Sequence, residues 1–259
     1  MKRYFVLILA AILLLSCLTG CFSNANQPSG NLPSSESAGE STEEPTQTEA
    51  PTETEPPVAR DAVVTDVIAE ERESEDFGSL SYHVPQVNLL GAEAVNAEIM
   101  ENFGTLAQQA LQADASAYPD CFKIDWELHW YNDTFALVIC KHLSGDYNSY
   151  KVYSFDYPNG TPLEFEELLS RADLDADGFF AQVTVRAEQV YRQAWGGLGE
   201  IDPDGFTQKL EWTISDENIR NAEHRNLYFD ENGRLMVIME IGALAGYGTY
   251  ETAFPLYEE

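Results

Sequence analysis

The clearest alternation of apolar and polar positions lies between residues 122 and 142. From 122 to 131 every second side chain is apolar and those between them are polar or charged, which predicts a half-buried β-strand. Asn132 and Asp133 follow as a turn. A two-residue loop there predicts a hairpin whose core face carries the pairs Trp130 with Phe135, Leu128 with Leu137 and Trp126 with Ile139.

The same reading along the chain predicts further strands and helices. Strands are expected at 62–69, 78–85, 149–157, 226–230, 234–241 and 250–256. Helices are expected at 92–111, at 161–170 behind a Thr161–Glu164 capping box, at 178–195 and at 215–221. The first helix has an apolar stripe of Val95, Ile99, Phe103, Leu106 and Ala110. Hairpins outnumber crossovers, so we expect an α+β fold: an antiparallel sheet built from hairpins and packed by a few helices.

Two cysteines, Cys121 and Cys140, fall near this hairpin. The predicted register puts Cys140 opposite Asp125, which is four residues, or roughly 13 Å, from Cys121 along the strand. A disulfide needs α-carbons within about 7 Å. Both cysteines are expected on the face away from the core, where a bulge or a fold-back at Pro119 could still unite them.

The N-terminus has the features of an export signal. Lys2 and Arg3 precede an uncharged apolar run, which closes on Leu18, Thr19, Gly20 and Cys21. This tetrapeptide resembles the lipobox of bacterial lipoproteins. The resemblance implies cleavage before Cys21, a lipid on its thiol, and attachment to the outer face of the cell membrane. An ordinary signal peptide or an uncleaved anchor remains the alternative.

Composition divides the rest of the chain in two. Residues 21–60 are mostly Ser, Thr, Glu and Pro, and a segment so poor in apolar side chains is expected to be a disordered spacer, or an O-glycosylated stalk. Residues 61–259 are enough for a single domain with its own core.

The charge of this predicted domain is strongly negative. After Arg60 the chain has 11 Lys and Arg against 37 Asp and Glu, a net charge of −26. Such a field disfavours nucleic acid and anionic lipid, and it attracts cationic proteins or divalent ions. Acidic surfaces also keep exported proteins soluble, which is the simpler explanation.

One segment resembles part of a calcium loop. Asp173, Asp175, Asp177 and Gly178 match its first half, whereas Thr184 stands where a bidentate glutamate belongs. The alternative is that these aspartates serve the next helix, with Asp177 as its cap. Apart from this possible calcium ion, no cofactor is expected.

Other candidate residues point to binding rather than to catalysis. The histidines do not form a metal site by spacing, and hydrolase and phosphate-loop motifs are missing from the sequence. Trp126 and Trp130 are expected in the core. Tyrosines at turns and strand ends suit sugar stacking or a basic protein, or pack at a sheet edge: Tyr131, Tyr147, Tyr150, Tyr247 and Tyr250.

The order of motifs resembles a known family. It runs from Tyr82–Pro85 through Val95, Asn96 and Ile99, the Trp-rich hairpin, Tyr153, Phe155, Asp156, Gly160, Pro162, Leu163, Leu168 and Leu169, to the strands at Leu235–Ile241 and Thr252–Leu256. This order is similar to the ectodomain of lysozyme-sensing anti-sigma factors of Gram-positive bacteria and to a module beside some peptidoglycan deacetylases. The resemblance implies a binding module whose partner is a cationic muramidase. The lipid anchor in place of a transmembrane helix, and the missing deacetylase domain, argue against sigma-factor control and against that catalysis.

We therefore expect a surface-tethered, non-catalytic binding lipoprotein of the cell envelope, which captures a cationic protein or a cell-wall glycan (peptidoglycan). Two alternatives stay open. One is an envelope hydrolase that uses carboxylates among Asp125, Glu127 and Asp156. The other is a structural or assembly lipoprotein that holds its partner by an uncovered, uncharged sheet edge.

Overall fold

The Trp-rich hairpin forms the centre of the larger of two sheets. A computed structural model describes residues 58–114, 117–143, 147–221, 225–245 and 248–257. The predicted export signal, Cys21 and nearly all of the predicted spacer lie outside the described residues. The described residues belong to one compact unit.

The larger sheet has six strands in chain order. They are β1 (Val64–Ser74), β2 (Gly78–Val87), β3 (Lys123–Tyr131), β4 (Thr134–His142), β5 (Asn148–Asp156) and β6 (Thr161–Pro162). Neighbours are antiparallel except β2 and β3, which pair in parallel over two residues, Ser81 with Lys123 and Tyr82 with Ile124. The expected hairpin-built α+β fold is confirmed. The parallel pair is the exception, and the helical connection between β2 and β3 permits it.

The predicted hairpin register is confirmed. Trp130 lies opposite Phe135, Leu128 opposite Leu137 and Trp126 opposite Ile139. Asn132 adopts the left-handed conformation that the tight turn requires (φ 51°). Trp126 and Trp130 pack against the core as expected.

A helical layer covers one face of the larger sheet. It consists of α1 (Glu93–Ile99), a π-helical segment (Met100–Gly104) and α2 (Thr105–Gln112). Val95, Ile99, Phe103 and Ala107 are buried here at intervals of four residues. An α-helix turns every 3.6 residues, so such a stripe drifts around it; the wider π turn brings the stripe back toward the core.

The second sheet has three antiparallel strands, β7 (Arg225–Phe229), β8 (Leu235–Gly242) and β9 (Thr249–Pro255). Four helices accompany it: α3 (Phe165–Arg171), α4 (Ala176–Trp195), α5 (Pro203–Thr213) and α6 (Asp216–Arg220). Side chains of α4 such as Phe179 and Val183 share a core with Val237 and Met239 of β8. Helix α5 was not predicted, although Asp202 as cap and Pro203 at the first helical position are an ordinary start signal.

The two sheets pack face to face. Ala136 and Val138 of β4 are buried against Tyr228 and Ile238 of the second sheet. Asn226 makes the contact specific, because its Oδ1 accepts from the Val152 N–H (3.0 Å) and its Nδ2 donates to the Tyr150 carbonyl (3.2 Å). The described residues thus form four layers, in the order helix, sheet, sheet, helix.

Helix α3 begins later than predicted. Thr161 is not a helix cap, because Thr161 and Pro162 pair with β5 as strand β6. The residue before a proline is pushed towards extended backbone, which favours the strand. The N-cap is Glu164, whose N–H donates to the Glu167 carboxylate (3.0 Å).

The two cysteines are free, and they lie on opposite faces of the sheet. Cys121 belongs to the core beneath α1 and α2, where its thiol donates to the Lys123 carbonyl (3.1 Å). Cys140 follows the core residue Ile139 and therefore points to the other face. The expectation that both avoid the core was wrong for Cys121, because Cys121 precedes β3 and the alternation of the strand does not extend to it.

Within the described ranges, no helix has both the length and the apolar character needed to cross a lipid bilayer.

Candidate functional site

The tyrosines proposed as ligand-binding residues are mostly half-buried. Tyr131 stacks near Phe229 (5.5 Å between ring centroids) and Tyr250 packs near Trp195 (6.2 Å). Tyr150 packs between the two sheets, and Tyr147 is also half-buried. Tyr247 lies outside the described residues. These four rings pack within the domain, and a ligand-binding role for them stays a prediction.

A polar cluster lies at the end of the β3–β4 hairpin, on the face away from α1. We call Asp125, Cys140 and His142 the thiol cluster. One ligand atom from each, a carboxylate oxygen, the thiol sulfur and an imidazole nitrogen, lies within 4.8 Å of the other two. Among the described residues, the thiol cluster is the place where three histidine, cysteine or acidic side chains lie close enough together to hold a metal ion.

The strand geometry explains the thiol cluster. Cys140 and His142 are two residues apart in β4, so their side chains share a face. Asp125 is the direct cross-strand partner of Cys140. The His142 Nε2 lies 3.2 Å from Asp125 Oδ1, and the Lys123 ammonium contacts Asp125 Oδ2.

Electrostatics around the thiol cluster favour a protonated thiol. Burial raises the pKa of Cys140 to about 12, and the negative charge of Asp125 adds to this rise. The Tyr150 side chain is hydrogen-bonded to Cys140, and burial raises the Tyr150 pKa to about 12. Beside it, Glu251 accepts from the Tyr150 N–H (2.7 Å) and the Ser149 hydroxyl (3.2 Å), and burial raises the pKa of its carboxyl.

Sequence reasoning missed the thiol cluster, although the signal was available. The predicted register already placed Asp125 opposite Cys140, and His142 follows Cys140 with the spacing of one strand face. The spacing argument considered histidines only with other histidines, so it missed a site that combines one histidine with a cysteine and an aspartate.

Two clefts flank the packed sheets. One of about 370 Å³ lies between β5 and α3 and is lined by residues that include Lys151, Phe165 and Glu166. The other, of about 320 Å³, brings together two of the predicted residues, Tyr131 and Asp173. It is also lined by Arg171, Phe229, Arg234 and Tyr257. We call this second cavity the tyrosine cleft.

The aspartates of the predicted calcium loop connect α3 to α4. Asp173 adopts the left-handed conformation (φ 55°) after α3 ends, and Asp175 caps α4 by accepting from the Gly178 N–H (2.7 Å). The cap is therefore Asp175 and not Asp177, which lies in the first turn. None of the three belongs to the thiol cluster, and a calcium ion here stays a prediction.

Of the carboxylates proposed for hydrolysis, Asp125 and Glu127 are two residues apart on one face of β3, whereas Asp156 lies far from Asp125. Asp125 lies opposite Cys140, and Asp156 lies opposite Thr134. Cys140 and Thr134 are six residues apart on β4, so Asp125 and Asp156 are separated by roughly 20 Å along the sheet. Glycosidase carboxyl groups lie about 5–9.5 Å apart. Glu127 is directed to His129 (3.7 Å) and Asp156 to Arg171 (3.1 Å).

Strand β1 forms an edge of the larger sheet and is mostly exposed on both faces. Glu70, Glu71 and Glu73 are exposed along it, and Glu75 and Asp76 continue the charge into the turn. Its one basic residue, Arg72, is turned towards the carbonyls of Ala110 and Ala113 at the end of α2. We call this strand with its turn the acidic edge.

A scan against models of known protein families and a search of curated proteins both find no match for this chain.

Proposed function

We propose that this chain is a non-catalytic binding lipoprotein, attached through Cys21 and its spacer to the outer face of the cell membrane. It captures a cationic protein of the muramidase kind on the acidic edge. The observation that carries the proposal is that, among the described residues, β1 is an edge strand with exposed carboxylates on it.

The acidic edge combines two modes of recognition. The outer backbone groups of an edge strand can pair with an extended segment of a partner. The carboxylates of Glu71 and Glu73, two residues apart on one face, attract basic side chains and speed the encounter. The assembly lipoprotein considered above would hold its partner by an uncharged edge, so the charge of β1 favours a basic ligand over that alternative.

Calorimetric titration of the full chain with lysozyme tests this proposal. The double variant Glu71→Lys/Glu73→Lys is expected to weaken binding at least about tenfold, because it places like charges against the ligand. The matched control Glu200→Lys/Glu211→Lys makes the same change in net charge at exposed positions on the α4–α5 side. It is expected to weaken binding less than about threefold.

Salt dependence provides a second readout. Affinity for lysozyme should fall as salt rises, and the fall should be shallower in the Glu71/Glu73 variant. Equal losses in the two double variants would mean that only the overall charge attracts lysozyme, and the proposal would be wrong. Failure of the parent chain to bind lysozyme would also reject it.

The tyrosine cleft favours a second candidate, a cell-wall glycan. Aromatic rings beside charged hydrogen-bonding groups suit the apolar faces and hydroxyls of sugars. Tyr257 is 48% exposed at this cleft, whereas Tyr118 is an exposed tyrosine elsewhere (62%). Soluble peptidoglycan fragments should bind at least about fivefold more weakly to Tyr257→Ala and unchanged to Tyr118→Ala. Equal affinity of both variants and the parent would exclude the cleft.

A further inference from the structure

The thiol cluster contains three kinds of donor that one class of metal ion prefers. A thiol, an imidazole and a carboxylate converge from two paired strands. Calcium and magnesium select oxygen donors, whereas Zn²⁺ binds cysteine, histidine and aspartate together. The donor set of the thiol cluster therefore indicates zinc rather than calcium.

The spacing of the donors also suits zinc. Tetrahedral ligands at about 2.0 Å from the metal lie about 3.3 Å from one another. The Nε2 of His142 and the Oδ1 of Asp125 are 3.2 Å apart. Small side-chain rotations are enough to place a metal ion among the three donors, since their mutual separations stay within 4.8 Å.

The surroundings hold the donors while leaving one side open. Asp125 and Cys140 are fixed by the β3–β4 ladder, and Lys123 occupies Oδ2 of Asp125, which leaves Oδ1 directed at His142. Cys140 is buried, whereas the side chains of Asp125 and His142 are about one-third exposed (33% and 34%). An ion can enter between the carboxylate and the imidazole, with solvent as its fourth ligand.

We propose that Asp125, Cys140 and His142 bind one zinc ion per chain. On binding, the Cys140 thiol gives its proton to solvent and the thiolate, the carboxylate and the neutral imidazole coordinate the metal, with no change of oxidation state. Thiolate and carboxylate together balance the two charges of the ion. This site lies on β3 and β4, and the inference does not depend on the proposed function.

The test uses Co²⁺ as a spectroscopic probe for zinc in the full chain, purified in detergent with Cys17→Ser and Cys21→Ser so that only Cys121 and Cys140 remain as thiols. Addition of CoCl₂ should produce a thiolate-to-cobalt charge-transfer band that saturates at one ion per chain and disappears when ZnCl₂ is added. ZnCl₂ should also raise the melting temperature, because a ligand of the native state stabilises it.

Variants locate the ion. Cys140→Ser should abolish the charge-transfer band, and Asp125→Asn and His142→Gln should each weaken zinc binding at least about tenfold. Cys121→Ser is the matched control, because it removes the other buried thiol from the opposite face of the sheet and should leave the band unchanged. Asp125→Asn keeps the shape of a partly exposed side chain, so it reports on the ligand even where Cys140→Ser lowers folding yield.

Three results would overturn the proposal. They are an absence of the band in the parent chain, a band that survives Cys140→Ser, and a band that depends on Cys121. Stabilisation by CaCl₂ but not by ZnCl₂ would likewise contradict a zinc site.

Discussion

The two faces of strand β4 bury neighbouring residues in different ways. Phe135, Leu137 and Ile139 enter the core beneath α1 and α2 and are almost completely inaccessible. Ala136 and Val138 face the second sheet, and Cys140 faces the thiol cluster. One face is apolar and continuous, whereas the other is a small apolar patch bordered by specific polar contacts.

This difference shows that two kinds of interaction stabilise the same strand. The first face depends on area and close packing, which many apolar side chains provide. The second depends on hydrogen bonds that only particular side chains make, such as those of Asn226 to Val152 and Tyr150. Substitutions on the two faces should therefore differ in how much they lower the free energy of unfolding and in how far that loss depends on pH and metal.

The largest effect is expected from Phe135→Ala on the first face. Phe135 is 1% exposed and stacks with Phe155 (4.9 Å between centroids), so truncation leaves a large cavity. We expect a loss of about 3–5 kcal/mol in the free energy of unfolding, measured by urea denaturation. Val138→Ala, on the second face, should cost only about 1–2 kcal/mol. Equal costs would show that the second face is as tightly packed as the first.

The pairing of β4 with β3 could be predicted from the sequence, whereas the packing of the second sheet on the second face could not. Local alternation gave the register of β3 with β4, because side chains on one strand face repeat every two residues. The packing of β7 and β8 on β4 joins residues about 90 to 100 positions apart in sequence, and no local periodicity encodes that contact.

The candidate site was predictable only in part, for the same reason. Tyr131 and Asp173 meet in the tyrosine cleft, but nothing near either residue indicates the other. The packing of Tyr150 and Tyr250 likewise depends on elements that come from distant parts of the chain. The thiol cluster, in contrast, could have been predicted from the sequence. Its three residues come from one hairpin whose register was predicted, and they appear together once cysteine, histidine and aspartate are considered jointly as metal ligands.

The next largest effect is expected from Asn226→Ala, which breaks the link between the two sheets. The variant leaves the Val152 N–H and the Tyr150 carbonyl without the amide that both contact, at a cost of about 2 kcal/mol. Asn96→Ala is the matched control, because Asn96 makes the same pair of bonds with Val87 on the other side of the sheet. Hydrogen exchange should increase at Val152 in the first variant only and at Val87 in the second only. Unchanged exchange at Val152 would contradict the linking role.

A smaller effect is expected from Glu251→Gln in β9, whose carboxylate contacts β5 where the two sheets pack. Burial raises the pKa of Glu251, so the folded chain holds this proton more tightly than the unfolded chain does. Its contribution to stability is therefore complete below the unfolded-state pKa and is lost as pH rises through the raised folded pKa. Relative to the parent, the variant should gain stability between pH 4 and pH 7, measured by urea denaturation at each pH. A relative loss over this range would show that the Tyr150 and Ser149 hydrogen bonds outweigh burial.

The smallest effect is expected from His142→Gln in the presence of a metal chelator. His142 and Asp125 are each about one-third exposed, and polar pairs so accessible to solvent contribute roughly 1 kcal/mol or less. With saturating zinc, the same substitution should cost more, because the parent alone then gains the free energy of metal binding. Thermal unfolding of both proteins with and without zinc measures the difference. The substitution could instead lower the melting temperature strongly without zinc and no further with zinc. That result would mean that the His142–Asp125 pair itself, rather than a metal ion, stabilises the second face.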